Sequence, residues 1–279
     1  MKNTLRNTIA MLAAAIAAAV PCLGQDKPDE AKALLEATLA RYELFFLQNF
    51  TVKVKSPEIS QALSAQISAA TQKMGVPIQV AVDHFIFDYQ DGKTAIKATL
   101  ANVPAQVKDR MEAEANKLIA NTPVGKTLQT ITFDSIKKGI DFLRENQENV
   151  TVKKDADAYT DFFVNGYNQS FGGNMKLKGV MFRLDKQKQV IVGIKFAFDN
   201  NRSMLVKMAY ENTKVPESGL FVPALTQSVI AQSGITAGPG VQVPQKATIY
   251  YWDYEFHKDR GGQGGNDGGD GGANPGDPW

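Results

Sequence analysis

Apolar residues along the first hundred positions alternate between two periods. Over 28–47, Ala31, Leu34, Leu35, Leu39, Tyr42, Phe45 and Phe46 fall at helical spacing, while Glu30, Lys32, Glu36, Arg41 and Glu43 point elsewhere. That is one apolar stripe on an amphipathic helix. Pro28, Asp29 and Glu30 suit its first turn, where a missing N–H is harmless and negative charge meets the helix dipole. The period then drops to two: Phe50, Val52 and Val54 oppose Thr51, Lys53 and Lys55, which predicts a strand. Pro57 opens a second helix whose stripe is Ile59, Leu63, Ile67, Ala70 and Met74, and Gly75 with Pro77 ends it. Residues 78–89 and 93–100 alternate again around Asp91-Gly92, a hairpin signal.

Residues 104–120 predict a charged helix and 124–146 one or two more. Short strands follow at 149–154 and 159–164, then a meander at 174–184, 189–198 and 204–211. Its links, 185–188 and 199–202, are polar and short, as antiparallel neighbours require. Two further strands, 221–230 and 247–257, flank a Gly/Pro-bearing loop at 233–244. The expected fold is α+β: a curved, unclosed antiparallel sheet, a half-barrel, with a helical lid and inserted helices over about 104–148.

The ends read differently. Lys2 and Arg6 precede an apolar run at 9–20, followed by Cys22 and Gly24. Charge, a short apolar run and small residues predict a secretory signal over 1–24, cleaved after Gly24. The run is too short for a bilayer, which needs about 20 residues. The expected location is periplasmic or secreted. Cys22, the sole cysteine, raises lipid anchoring as an alternative, although Pro21 before it fits that pattern poorly. Cleavage leaves no cysteine and cancels the formal charge of +2, so a packed core must supply stability, and no basic field invites nucleic acid. Residues 261–279 are mostly glycine and predict a disordered tail, with too little apolar area to offset ordering entropy.

Chemistry-bearing motifs are sparse. Residues 120–127, ANTPVGKT, resemble a relaxed phosphate loop, but a charged helix precedes them and Pro123 removes an N–H. The better reading is that Asn121-Thr122-Pro123 ends one helix and starts another. Only His84 and His257 could bind zinc; a hydrogen-bonded strand residue suits His84 better. Asp155, Asp157 and Asp161 lack calcium-loop spacing and read as a solvated turn. No nucleophile elbow is present. The expectation is a protein without enzymatic activity, cofactor or metal.

What remains is apolar surface. Val192, Ile194, Phe196 and Phe198 predict one greasy strand face; Met204, Val206, Met208 and Tyr210 another; Tyr250, Trp252, Tyr254 and Phe256 a third; His84 shares a face with Val82 and Ile86. An inner sheet face of this kind must be covered. If the helices leave a cleft, it holds an apolar ligand against Phe196, Phe198, Val206, Met208 and Trp252.

The order of the segments resembles the LolA-like superfamily of periplasmic lipoprotein carriers. The matching stretches are the helix ending Ala40-Arg41-Tyr42, the strand NFTVKV at 49–54, LKGV at 177–180, the meander, and KVPESGLFVP at 214–223. The resemblance implies an unclosed antiparallel barrel capped by helices, with acyl chains or a lipoprotein as cargo. The helices at 56–77 and 104–148 are additions to that compact pattern. Two other readings stay open: a non-catalytic structural or interaction module of the envelope with a filled core, and a secreted hydrolase using two facing carboxylates.

Overall fold

The computed structural model describes residues 27–73, 79–130, 132–170, 176–216, 218–233 and 245–257. The expected signal at 1–24, Cys22, the glycine-rich tail, Met74, Gly75, Pro77 and most of the 233–244 loop lie outside them.

Helix α1 (Lys27–Phe46) leads into β1 (Asn49–Lys55), α2 (Pro57–Lys73), and the hairpin β2 (Ala81–Gln90) and β3 (Lys93–Ala101). Helices α3 (Ala105–Asn121), α4 (Pro123–Thr130) and α5 (Phe133–Glu145) follow. Seven strands, with short 3-10 turns at Gln147–Asn149 and Asp199–Asn201, complete it: β4 (Thr151–Asp155), β5 (Tyr159–Ser170), β6 (Lys176–Asp185), β7 (Val190–Phe198), β8 (Ser203–Lys214), β9 (Phe221–Ser233) and β10 (Lys246–His257). They form one ten-stranded sheet in the order β3-β2-β1-β10-β9-β8-β7-β6-β5-β4. Every pairing is antiparallel, and β3 and β4 remain as edges, so the sheet is curved but unclosed. The expected α+β half-barrel with a helical lid and inserted helices is what the chain forms.

Local chemistry explains the elements. Asp91 and Gly92 both adopt positive φ (49° and 82°), the geometry that a two-residue hairpin turn between right-twisted strands needs. Thr122 accepts the Gly125 N–H on its hydroxyl at 3.1 Å and starts α4, with Pro123 in the first turn. A Cβ at Gly125 would collide with the Ile119 backbone, so glycine here allows α4 to lie against α3. The phosphate-loop-like residues are thus a helix junction.

The two sheet edges are treated differently. On β3, Asn116 of α3 accepts the Ala98 N–H at 2.8 Å, and Glu112 accepts the Leu100 N–H at 3.0 Å. Helix side chains so satisfy an edge that would otherwise template another strand. Strand β4 is exposed along its whole length. Its lysines fold back, Lys153 over the Phe163 ring and Lys154 over the Tyr159 ring.

Helix α2 wedges into the sheet where β1 stops. Glu58 accepts the Thr248 N–H of β10 at 3.2 Å, while Ser64 accepts the Val82 N–H at 2.9 Å and Ser68 the Val80 N–H at 3.3 Å on the β2 side. The helix therefore takes over ladder positions of a strand that has ended.

Three bulges correct the expected faces, because one extra residue reverses every side chain beyond it. On β10, Asp253 at φ 53° interrupts the register with β1. Tyr254 and Phe256 lie beside Phe50 on the inner face, whereas Tyr251 and Ile249, not Trp252 and Tyr250, continue that face toward the strand start. On β2, a shift between Val82 and His84 puts Val82 with the buried Phe85 and leaves His84 outside with Ile86. On β7, a shift leaves Val192 unpaired and turns the buried Ile191 inward beside Leu184.

Candidate functional site

Inner-face residues of β6 to β9 lie under α1. On β6 these are Leu177, Val180, Phe182 and Leu184; on β7, Ile191, Ile194, Phe196 and Phe198; on β8, Met204, Val206, Met208 and Tyr210. Strand β9 adds Ser228 and Ile230, opposite Met208 and Val206. Among the described residues α1 is the helix laid against β6, β7 and β9. It presents Ala31, Leu34, Leu35, Thr38, Leu39, Tyr42 and Phe45, all buried.

The C-terminal half of α1 is pinned by polar contacts. The Tyr42 hydroxyl accepts the Ile191 N–H at 3.1 Å and is hydrogen-bonded to Tyr210. Arg41 donates to the Lys188 carbonyl in the β6–β7 turn and to Asn212 on β8. The N-terminal half of the stripe is apolar apart from Thr38, whose fully buried hydroxyl has no partner. Hydroxyls continue across the face: Tyr210 donates to the Met208 sulfur at 3.1 Å, Tyr254 to the Leu225 carbonyl at 2.8 Å, and Ser228 and Tyr251 share a bond at 3.1 Å. Burial pushes Tyr42, Tyr210, Tyr251 and Tyr254 well above the ordinary tyrosine range, so all four stay protonated and neutral.

Four of the five expected ligand-contacting residues share this face. Phe196 and Phe198 stack with ring centroids 6.4 Å apart, Val206 lies opposite Ile194, and Met208 lies one inward position further along β8. Phe198 and Met208 are buried at 2% and 6%, while Phe196 and Val206 stay half-buried. Trp252 does not join them. It faces outward beyond the Asp253 bulge, pairs across from Lys53 and sits 6.1 Å from the His84 ring. The sequence reading missed Thr38 and Ser228, although a threonine inside the α1 stripe is itself a signal.

The acids serve other contacts. Asp161, on the opposite face, takes two hydrogen bonds from Arg183, at 2.7 and 2.8 Å. The carboxylate raises the guanidinium pKa, and the guanidinium also lies 4.0 Å over the Tyr159 ring. Asp155 accepts the Thr160 hydroxyl at 2.6 Å and pairs with Lys186 at 2.8 Å. His84 meets Asp83 at 2.9 Å, and that bond holds the carboxyl below its usual range. Among the described residues no three His, Cys, Asp or Glu side chains converge on a common point, and no helix is long and apolar enough to cross a membrane. Comparison with protein-family models, curated proteins and solved structures finds no match.

Proposed function

We propose that this is an exported cell-envelope protein that holds the acyl chain of a lipid or lipidated partner between α1 and the inner face of β6 to β9. One observation carries the reading: Phe196 and Val206 are apolar, face inward and sit within their strands, yet stay half-buried where, among the described residues, α1 forms the lid. Phe198 and Met208 extend the same apolar wall. Each CH₂ buried there contributes about 0.8 kcal/mol, so a long chain gains affinity without a charged anchor. The apolar N-terminal half of α1 is the side free to yield; Arg41 and Tyr42 hold the other.

The near-complete burial of Phe198 and Met208 favours a second reading, a non-catalytic envelope interaction module with a filled core. Native mass spectrometry after mild purification separates the two. The carrier reading expects a copurified acyl lipid, or stoichiometric uptake of the neutral apolar fluorophore N-phenyl-1-naphthylamine. A bare chain that takes up no fluorophore overturns it and leaves the module.

A further inference from the structure

Resting on the acyl-binding reading, we infer that the site under α1 selects an acyl lipid whose polar group is uncharged, an ester or a hydroxyl, over a free carboxylate. Buried polar side chains on the inner face are hydroxyls: Thr38 on the lid, Thr160 and Ser228 on the sheet, with Tyr42 and Tyr251 beside them. Among the described residues the one buried charged side chain, Asp161, faces the other way and is matched by Arg183. Arg41 on the lid is already engaged with the Lys188 carbonyl and Asn212, and Lys186 near Thr160 with Asp155. A carboxylate brought under the lid would have to break one of these contacts or stay unpaired, which is strongly disfavoured. An ester carbonyl or a lipid hydroxyl meets donors instead.

Thr38 marks where the polar group sits. It lies at the centre of the α1 stripe, between Leu34 and Tyr42, and is fully buried. Thr160, Ser228, Tyr42, Tyr210 and Tyr254 all have partners, whereas the Thr38 hydroxyl has none. A buried hydroxyl without a partner is destabilising, and it becomes favourable once an acceptor arrives. A ligand carbonyl that accepts the Thr38 O–H puts the acyl chain along Phe196, Phe198, Val206 and Met208. Two other buried hydroxyls lack partners, Ser60 on α2 and Tyr89, and both belong to the other half of the sheet; Tyr89 lies in the ring cluster with Phe46, Phe50 and Phe133, where rings already fill the neighbourhood.

The test is displacement of N-phenyl-1-naphthylamine from the purified full chain at pH 8 by monoolein and by oleate, which share a chain and differ in the head. Monoolein is expected to displace the fluorophore at about tenfold lower concentration than oleate. Thr38→Val, close to isosteric, is expected to erase most of that ratio and raise the melting temperature, while Thr38→Ser keeps the ratio. Equal or better displacement by oleate, or a ratio unchanged in Thr38→Val, overturns the inference while the acyl-binding reading stands. A wild-type chain that does not bind the fluorophore overturns both.

Discussion

The two halves of the sheet have comparable apolar inner faces, yet they are closed by different means. On the β3-β2-β1-β10 side, Phe133 at the start of α5 touches the rings of Phe45, Phe50, Phe87, Tyr89, Tyr251 and Tyr254. Helix α2 replaces the end of a strand, and α3 satisfies the edge. On the β9-to-β4 side α1 covers the face among the described residues, hydroxyls are scattered among the apolar side chains, and β4 is exposed along its length. Interlocked rings in fixed geometry leave little freedom to admit anything else. A lid pinned by polar contacts at one end, over a wall that mixes Phe182, Phe196 and Phe198 with aliphatic and methionine side chains, has fewer ring contacts to break. On the proposed reading, the ring cluster supplies rigidity and the α1-covered face supplies binding.

The largest effect is expected where the rings meet. Phe133→Ala removes the hub of the cluster and should cost about 3–5 kcal/mol in urea unfolding, with N-phenyl-1-naphthylamine binding retained in the folded fraction. A loss under 1 kcal/mol would mean that the cluster does not support its half. On the other half, Arg183→Met strands the buried Asp161 carboxylate and should cost about 2 kcal/mol, discounted because the guanidinium is partly exposed. Met retains much of the stem, so the loss reads the charge rather than the packing.

Tyr42→Phe probes the pin on the lid. It leaves the Ile191 N–H without its acceptor and should cost about 1–2 kcal/mol. Amide exchange should speed up at Ile191 and along α1 and stay unchanged around Phe133. Uniform acceleration would contradict a lid that moves separately. Alkali reads the buried tyrosines together. Their folded pKa values lie above the ordinary 10, so the contribution of each is fully present below pH 10 and is lost as pH rises beyond it, where the unfolded chain ionises first. For Tyr42 and Tyr251 the slope should approach about 1.4 kcal/mol per pH unit each. Urea midpoints equal at pH 8 and pH 11 would refute it.

Much of the fold was legible because period and punctuation agree. Asp91-Gly92 named the first hairpin, Asn121-Thr122-Pro123 the break between α3 and α4, and the alternation of Phe50, Val52 and Val54 the strand at the sheet centre. The faces were less legible. The run from Tyr250 to Phe256 alternates without interruption, and only Asp253 in a positive-φ bulge divides it, so alternation alone puts Trp252 on the inner face and the structure puts it outside. A shift of one residue has no hydrophobic signature when both flanks are aromatic. The wedge of α2 was hidden as well: Glu58, Ser64 and Ser68 look like a polar helix face until β2 and β10 are seen on either side. Four of the five expected residues share one face because β7 and β8 pair without a shift from Gly193 to Ala197 and from Ser203 to Lys207.

Val206→Phe tests the central claim most directly, because a larger ring at the half-buried position either enters free space or collides with a finished core. With room beneath α1, folding stability should be unchanged or higher, and N-phenyl-1-naphthylamine affinity should fall about tenfold, equal to about 1.4 kcal/mol. A stability loss of about 1–3 kcal/mol, the mark of overpacking, together with no fluorophore binding by the wild-type chain, would show that the face is already full.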